Sequence, residues 1–66
     1  MYKTVAYIVR RIGGREVREM IGEKKHSTEH EMNRYCNRLC DKYRRRESVL
    51  CVDVYENGEY QITHCY

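Results

Sequence analysis

There is no proline in this chain, no phenylalanine and no tryptophan. Nor is there an apolar run of roughly 18 residues, the length that marks a membrane-crossing helix. The opening MYKTVAYIVRR lacks the charged start and long apolar stretch of a signal peptide, so a cytoplasmic location without a membrane partner is expected. No linker, low-complexity tract or convincing repeat interrupts the sequence, and residues 1–66 are expected to form a single domain. The charge is not lopsided: 13 Lys and Arg against 10 Asp and Glu leave +3, a mild bias for a nucleic-acid-binding domain. A domain of 66 residues buries only about 60% of the surface its unfolded chain exposes. One thin two-layer core follows, and a deep cleft walled off from water does not, so an enzyme is not expected.

What the sequence does have is seven tyrosines, its only large aromatics, and four cysteines at 36, 40, 51 and 65. Tyrosine joins an apolar ring to a polar tip and serves both a core edge and a contact surface. Without a secretory signal, the cysteines are expected as thiols rather than as a disulfide framework.

Residues 2–12, YKTVAYIVRRI, are rich in β-branched residues and alternate, with Val5, Tyr7 and Val9 on one side; they predict a strand. Gly13-Gly14 supplies the positive φ of a tight turn, and REVREMIG returns as its partner. With Ile12-Gly13-Gly14 as the loop, Val9 faces Val17, Val5 faces Ile21 and Tyr7 faces Glu19. Val17, Met20 and Ile21 also lie at helical spacing before Gly22, but the turn calls for a second strand. EKKHS then reads as a polar connector.

STEHEMNRYCNRLCDKYRRR, residues 27–46, predicts the one helix. Thr28 and Glu31 form a capping-box pattern; acids sit at its start and bases at its end, as the macrodipole favours. At about 100° per residue, Met32, Cys36, Leu39 and Tyr43 form one stripe flanked by Tyr35 and Cys40, while Arg34, Arg38, Asp41 and Arg45 point away. SVLCVDVYENGEYQITHCY predicts a hairpin about Asn57-Gly58. A loop of Glu56-Asn57-Gly58 pairs Val54 with Tyr60, Val52 with Ile62 and Leu50 with His64, gathering the apolar residues on one face. The expected fold is α+β, β-β-α-β-β: a four-stranded antiparallel sheet with one helix packed on one face.

Cys36 and Cys40, a turn apart, have a spacing that can chelate zinc. In this register, however, Cys36 points into the core while Cys51 and Cys65 leave the opposite face, so the four cannot share an ion. Cys36, Cys40 and His64 remain on one side, yet a small buried cysteine is the plainer reading; no metal and no cofactor are expected. Cys51 has no histidine near it to act as a base, and Gly13-Gly14 lacks the Lys-Ser/Thr of a phosphate loop.

The contact residues singled out are Arg34, Arg38, Lys42 and Arg45, a basic helix stripe whose like charges repel at this spacing, and Tyr55, on the outer sheet face that one helix cannot cover. An acidic protein surface or a phosphate backbone would relieve the stripe. The expectation is a small binding protein acting by protein–protein contact, of the kind that phages and mobile elements use as inhibitors or regulators. The alternative is a nucleic-acid-binding accessory protein using the basic helix face. A homodimer through the outer sheet face or a strand edge is the further expectation.

Overall fold

The computed structural model describes residues 1–43 and 48–66. Its elements are β1 (Tyr2–Ile12), β2 (Arg15–His26), α1 (Glu29–Lys42), β3 (Ser48–Glu56) and β4 (Glu59–Cys65). The strands make one antiparallel sheet in the order β2-β1-β3-β4, with α1 on one face. The expected β-β-α-β-β architecture is therefore the one the chain adopts. Arg45, one of the expected contact residues, lies outside the described residues.

The helix follows its local signals. The Glu31 N–H donates to Thr28 Oγ1 at 3.2 Å, and the Glu31 carboxylate accepts from the Ser27 N–H at 3.3 Å, so two donors at the helix start are satisfied. At the far end the Tyr43 N–H donates to the Leu39 carbonyl at 2.9 Å. Met32 and Cys36 are buried, with Leu39 and Cys40 packed against the same cluster, which is the stripe the periodicity defines. Gly22 lets the helix settle over β2: a Cβ there would stand 3.3 Å from the Tyr35 hydroxyl.

The first strand turns its other side to the helix. Thr4, Ala6 and Ile8 are the buried residues of β1, while Val5, Tyr7 and Val9 stand half-buried on the outer face. Counting apolar side chains favours Val5, Tyr7 and Val9, but closeness of approach decides otherwise. Ala6 lies opposite Val52, and both belong to the cluster that holds Met32 and Cys36. A tyrosine in that row would hold the helix off the sheet and bury its hydroxyl.

Both hairpins also turn more tightly than their hydrophobic patterns indicate. Ile12 pairs with Arg15, and Glu56 with Glu59, so each loop has two residues. Gly13 and Gly14 have φ of 59° and 78°, Asn57 and Gly58 of 51° and 85°; positive φ at both central residues is what the type I′ turn requires. Each ladder then slips by one residue. Ile21 is left without a partner between Met20 and Gly22, and Gln61 between Tyr60 and Ile62. In the first hairpin Tyr7 therefore faces Met20, Val9 faces Arg18 and Val5 faces Glu23. In the second, Val54 faces Ile62 and Val52 faces His64: the face is the expected one, the partners two residues further on. Tyr60, before the bulge, pairs with Tyr55 on the outer face instead of with Val54. Residues 23–26 continue β2 instead of forming a connector.

The cysteines divide between the faces as expected, with Cys36 in the core, but Cys51 and Cys65 are directly opposed and joined as a disulfide. The expectation of thiols fails for this pair. A hairpin places opposed residues of the non-hydrogen-bonded kind close together, and their Cα atoms are 4.2 Å apart. Cys36 and Cys40 remain free.

Leu50→Ala, at a site only 3% exposed, should lower stability to urea by about 2–5 kcal/mol. Ile62→Ala, at a site 49% exposed and outside the core cluster, should cost at most about half as much. Reducing the Cys51–Cys65 bond, which spans a sequence separation of 14, should cost about 2–4 kcal/mol through the freedom regained by the unfolded chain.

Candidate functional site

Among the described residues one helix covers one face of the sheet and nothing covers the other, to which three strands bring tyrosines: Tyr7 from β1, Tyr55 from β3 and Tyr60 from β4. They are held in place. The Tyr7 hydroxyl donates to Asp53 Oδ1 at 3.2 Å, and the Thr63 hydroxyl donates to the same oxygen at 2.6 Å. With its proton given to Asp53, Thr63 Oγ1 accepts from the Tyr60 hydroxyl at 2.6 Å. Tyr60 also meets Tyr55 edge-on, ring centres 5.8 Å apart, a favoured aromatic geometry. Burial, then the Asp53 carboxylate, pushes the Tyr7 hydroxyl above its ordinary pKa, so it stays a donor across the neutral range.

Cations frame this row. Lys3 Nζ lies 4.8 Å from the Tyr55 ring centre and Arg18 Cζ 5.4 Å from that of Tyr7, within cation–π reach. Lys3 also pairs with Glu23 at 3.2 Å. Both hydroxyl donors converge on one oxygen of the Asp53 carboxylate. The result is a rigid aromatic centre with a basic rim, on a face where Tyr60 is 56% and Met20 67% exposed.

The basic helix stripe is on the other side of the molecule. Arg34, Arg38 and Lys42 are all exposed on the outward side of α1, and among the described residues no ion pair reaches them. Tyr55, grouped with them by sequence, is separated from them by the thickness of the sheet. Sequence reasoning also passed over Arg10, Arg11, Arg15 and Arg18. Among the described residues β1 pairs with β3 no further than Arg10 opposite Ser48, and all residues from Arg11 to Met20 are exposed. Only the Gly-Gly turn between alternating strands could have signalled this exposed hairpin end.

The remaining chemistry-bearing groups are dispersed or engaged. Among the described residues no three His, Cys, Asp or Glu side chains are placed to hold a metal ion, so Cys36, Cys40 and His64 do not assemble as a site. Burial raises the pKa of Cys36, which keeps its thiol protonated. A shallow hollow of about 330 Å³ is lined by Met1, Tyr2, Lys3, Lys25, Asn57 and Gly58.

His26, 5% exposed, is the one buried histidine. Its Nε2 shares a hydrogen bond of 3.0 Å with Thr4 Oγ1, which also lies 3.5 Å from the Lys24 carbonyl. Its ring tilts against that of Tyr35 at 5.0 Å. Burial, then the Lys24 ammonium, lowers its pKa below 6.5, against a smaller opposing pull from Glu31. The folded protein thus takes up this proton at lower pH than the unfolded chain does. The stabilisation is complete above about pH 6.5 and is lost as pH falls from there through the lowered pKa. Urea midpoints measured down from neutral pH should drop in the wild type and drop less in His26→Gln.

No family model, curated protein or solved structure matches the chain.

Proposed function

We propose that this chain is a non-catalytic binding module that acts by occupying a protein surface, with the open sheet face as its contact surface. The observation that carries the reading is the hydrogen-bonded tyrosine row Tyr7–Asp53–Thr63–Tyr60, with Tyr55 stacked on it and Lys3 and Arg18 at its edge. Tyr, Met and Arg are the side chains enriched in the centres of protein interfaces, and rings already fixed lose little freedom on docking. The basic rim suits a partner with an apolar patch bordered by Asp and Glu. An inhibitor or regulator that blocks such a surface needs no catalytic group, and the cysteines and the buried histidine have structural partners of their own.

A second reading rests on the exposed Arg34, Arg38 and Lys42, which have no acidic partner among the described residues. They are disposed to meet phosphates, and a small nucleic-acid-binding accessory protein would use that side.

Paired variants separate the two. Tyr55→Ala/Tyr60→Ala should abolish capture of a nuclease-resistant protein partner that Arg34→Glu/Arg38→Glu leaves intact. Micromolar binding of duplex or single-stranded nucleic acid, weakening steeply with salt and lost in the arginine variant alone, would overturn the first reading in favour of the second.

A further inference from the structure

The unpaired edge of β2 has a property that its sequence shows only once the bulge at Ile21 is known. In a two-residue type I′ hairpin the residues flanking the turn form a hydrogen-bonded pair. Ile12 and Arg15 are that pair, and both lie on the inner face. The inner residues of β2 therefore bond to β1, and its outer residues turn their N–H and C=O groups toward the free edge. Those residues are Glu16, Arg18 and Met20 before the bulge, and Glu23 and Lys25 after it, as their partners Arg11, Val9, Tyr7, Val5 and Lys3 establish. All five are exposed.

We propose that β2 pairs antiparallel with β2 of a second copy of this chain, about a two-fold axis between Met20 and Ile21, joining two sheets into one of eight strands. In a strand without a bulge, a pairing centred between two residues sets every inward side chain against an outward one. The extra residue at Ile21 reverses the alternation at the centre, and the conflict disappears. Glu16 then faces Lys25 of the second copy and Arg18 faces Glu23, all on the outer face, and symmetry makes each contact twice. Inner residues also meet inner residues: Val17 meets Lys24, and Arg15 meets the neutral His26. Met20, 67% exposed in the single chain, is covered at the axis.

The charges select this alignment. Sliding the copies by two residues in one direction sets Arg15 against Lys24 and Glu16 against Glu23. Sliding them in the other sets Arg18 against Lys25, which cancels the one attraction gained there, Glu19 with Lys24. Opposite charges directly across a strand pair stabilise it and like charges destabilise it. The other edge offers less, since β4 has seven residues and Glu59 as its only Asp, Glu, Lys or Arg. A two-fold axis perpendicular to the sheet leaves both helices on one side and both tyrosine rows on the other. The dimer thereby sets two tyrosine rows side by side and leaves them uncovered, taking only Met20 and Arg18 from the margin of that face into its seam, and the inference does not depend on what that face binds.

The test is the mass in solution by analytical ultracentrifugation, with Glu16 and Lys25 as the probes, since neither has an ion-pair partner within its own chain among the described residues. Wild type at high micromolar concentration should sediment at twice the chain mass of 8.1 kDa. Glu16→Lys should raise the dimer dissociation constant at least about tenfold while far-UV circular dichroism stays unchanged. Glu16→Lys/Lys25→Glu, which restores opposite charges, should recover the dimer. A wild-type monomer at that concentration, or a dimer indifferent to Glu16→Lys, would overturn the proposal.

Discussion

The pairing of β1 with β3 is the contact on which everything else depends. Each hairpin by itself is a two-stranded ribbon of marginal stability in water, and the helix is too short to persist alone. The register from Tyr2 opposite Glu56 to Arg10 opposite Ser48 joins the ribbons and sets Ala6 beside Val52, both with no exposure. That pair forms the low floor on which Met32 and Cys36 rest. The contact is also the most distant in sequence, so the chain must close a long loop before the core can form.

This one register fixes which residues face out. Once Thr4, Ala6 and Ile8 turn inward, Tyr7 must turn outward, and it meets Asp53 and through it Thr63 and Tyr60. The tyrosine row is thus a product of the core's demand for small side chains beneath the helix. Thr4 extends the same logic to the margin, where its hydroxyl satisfies His26, which would otherwise be a buried polar ring without a partner. Among the described residues, the exposed β4 and the exposed end of the first hairpin are what remains when a 14-residue helix lies on strands of up to 12 residues.

Much of this was legible in the sequence. Thr28 with Glu31, and the spacing of Met32, Cys36 and Leu39, gave the helix and its buried side. Asn57-Gly58 and Gly13-Gly14 gave the turns. What periodicity could not give was the parity of β1, because Val5, Tyr7 and Val9 are the more apolar set and only the helix's closeness favours Thr4, Ala6 and Ile8. It could not give the bulges, since a single unpaired residue such as Ile21 or Gln61 carries no local signature. The Cys51–Cys65 pair followed from the bulge at Gln61, which shifts Cys65 into line. For the contact surface, the sequence marked Tyr55 and the helix arginines but grouped residues that the sheet holds apart, and Arg45 lies outside the described residues.

The central register is open to one direct measurement, the two-dimensional nuclear Overhauser spectrum of the Hα protons. Inner pairs of β1 and β3 are non-hydrogen-bonded, the kind whose Hα protons come closest. Strong Hα–Hα cross-peaks should therefore join Ala6 to Val52, Ile8 to Leu50 and Thr4 to Val54. Cross-peaks joining Val5 or Tyr7 to Val52 instead would place β1 with its other side to the helix, and the tyrosine row, the two faces and their uses would all have to be abandoned.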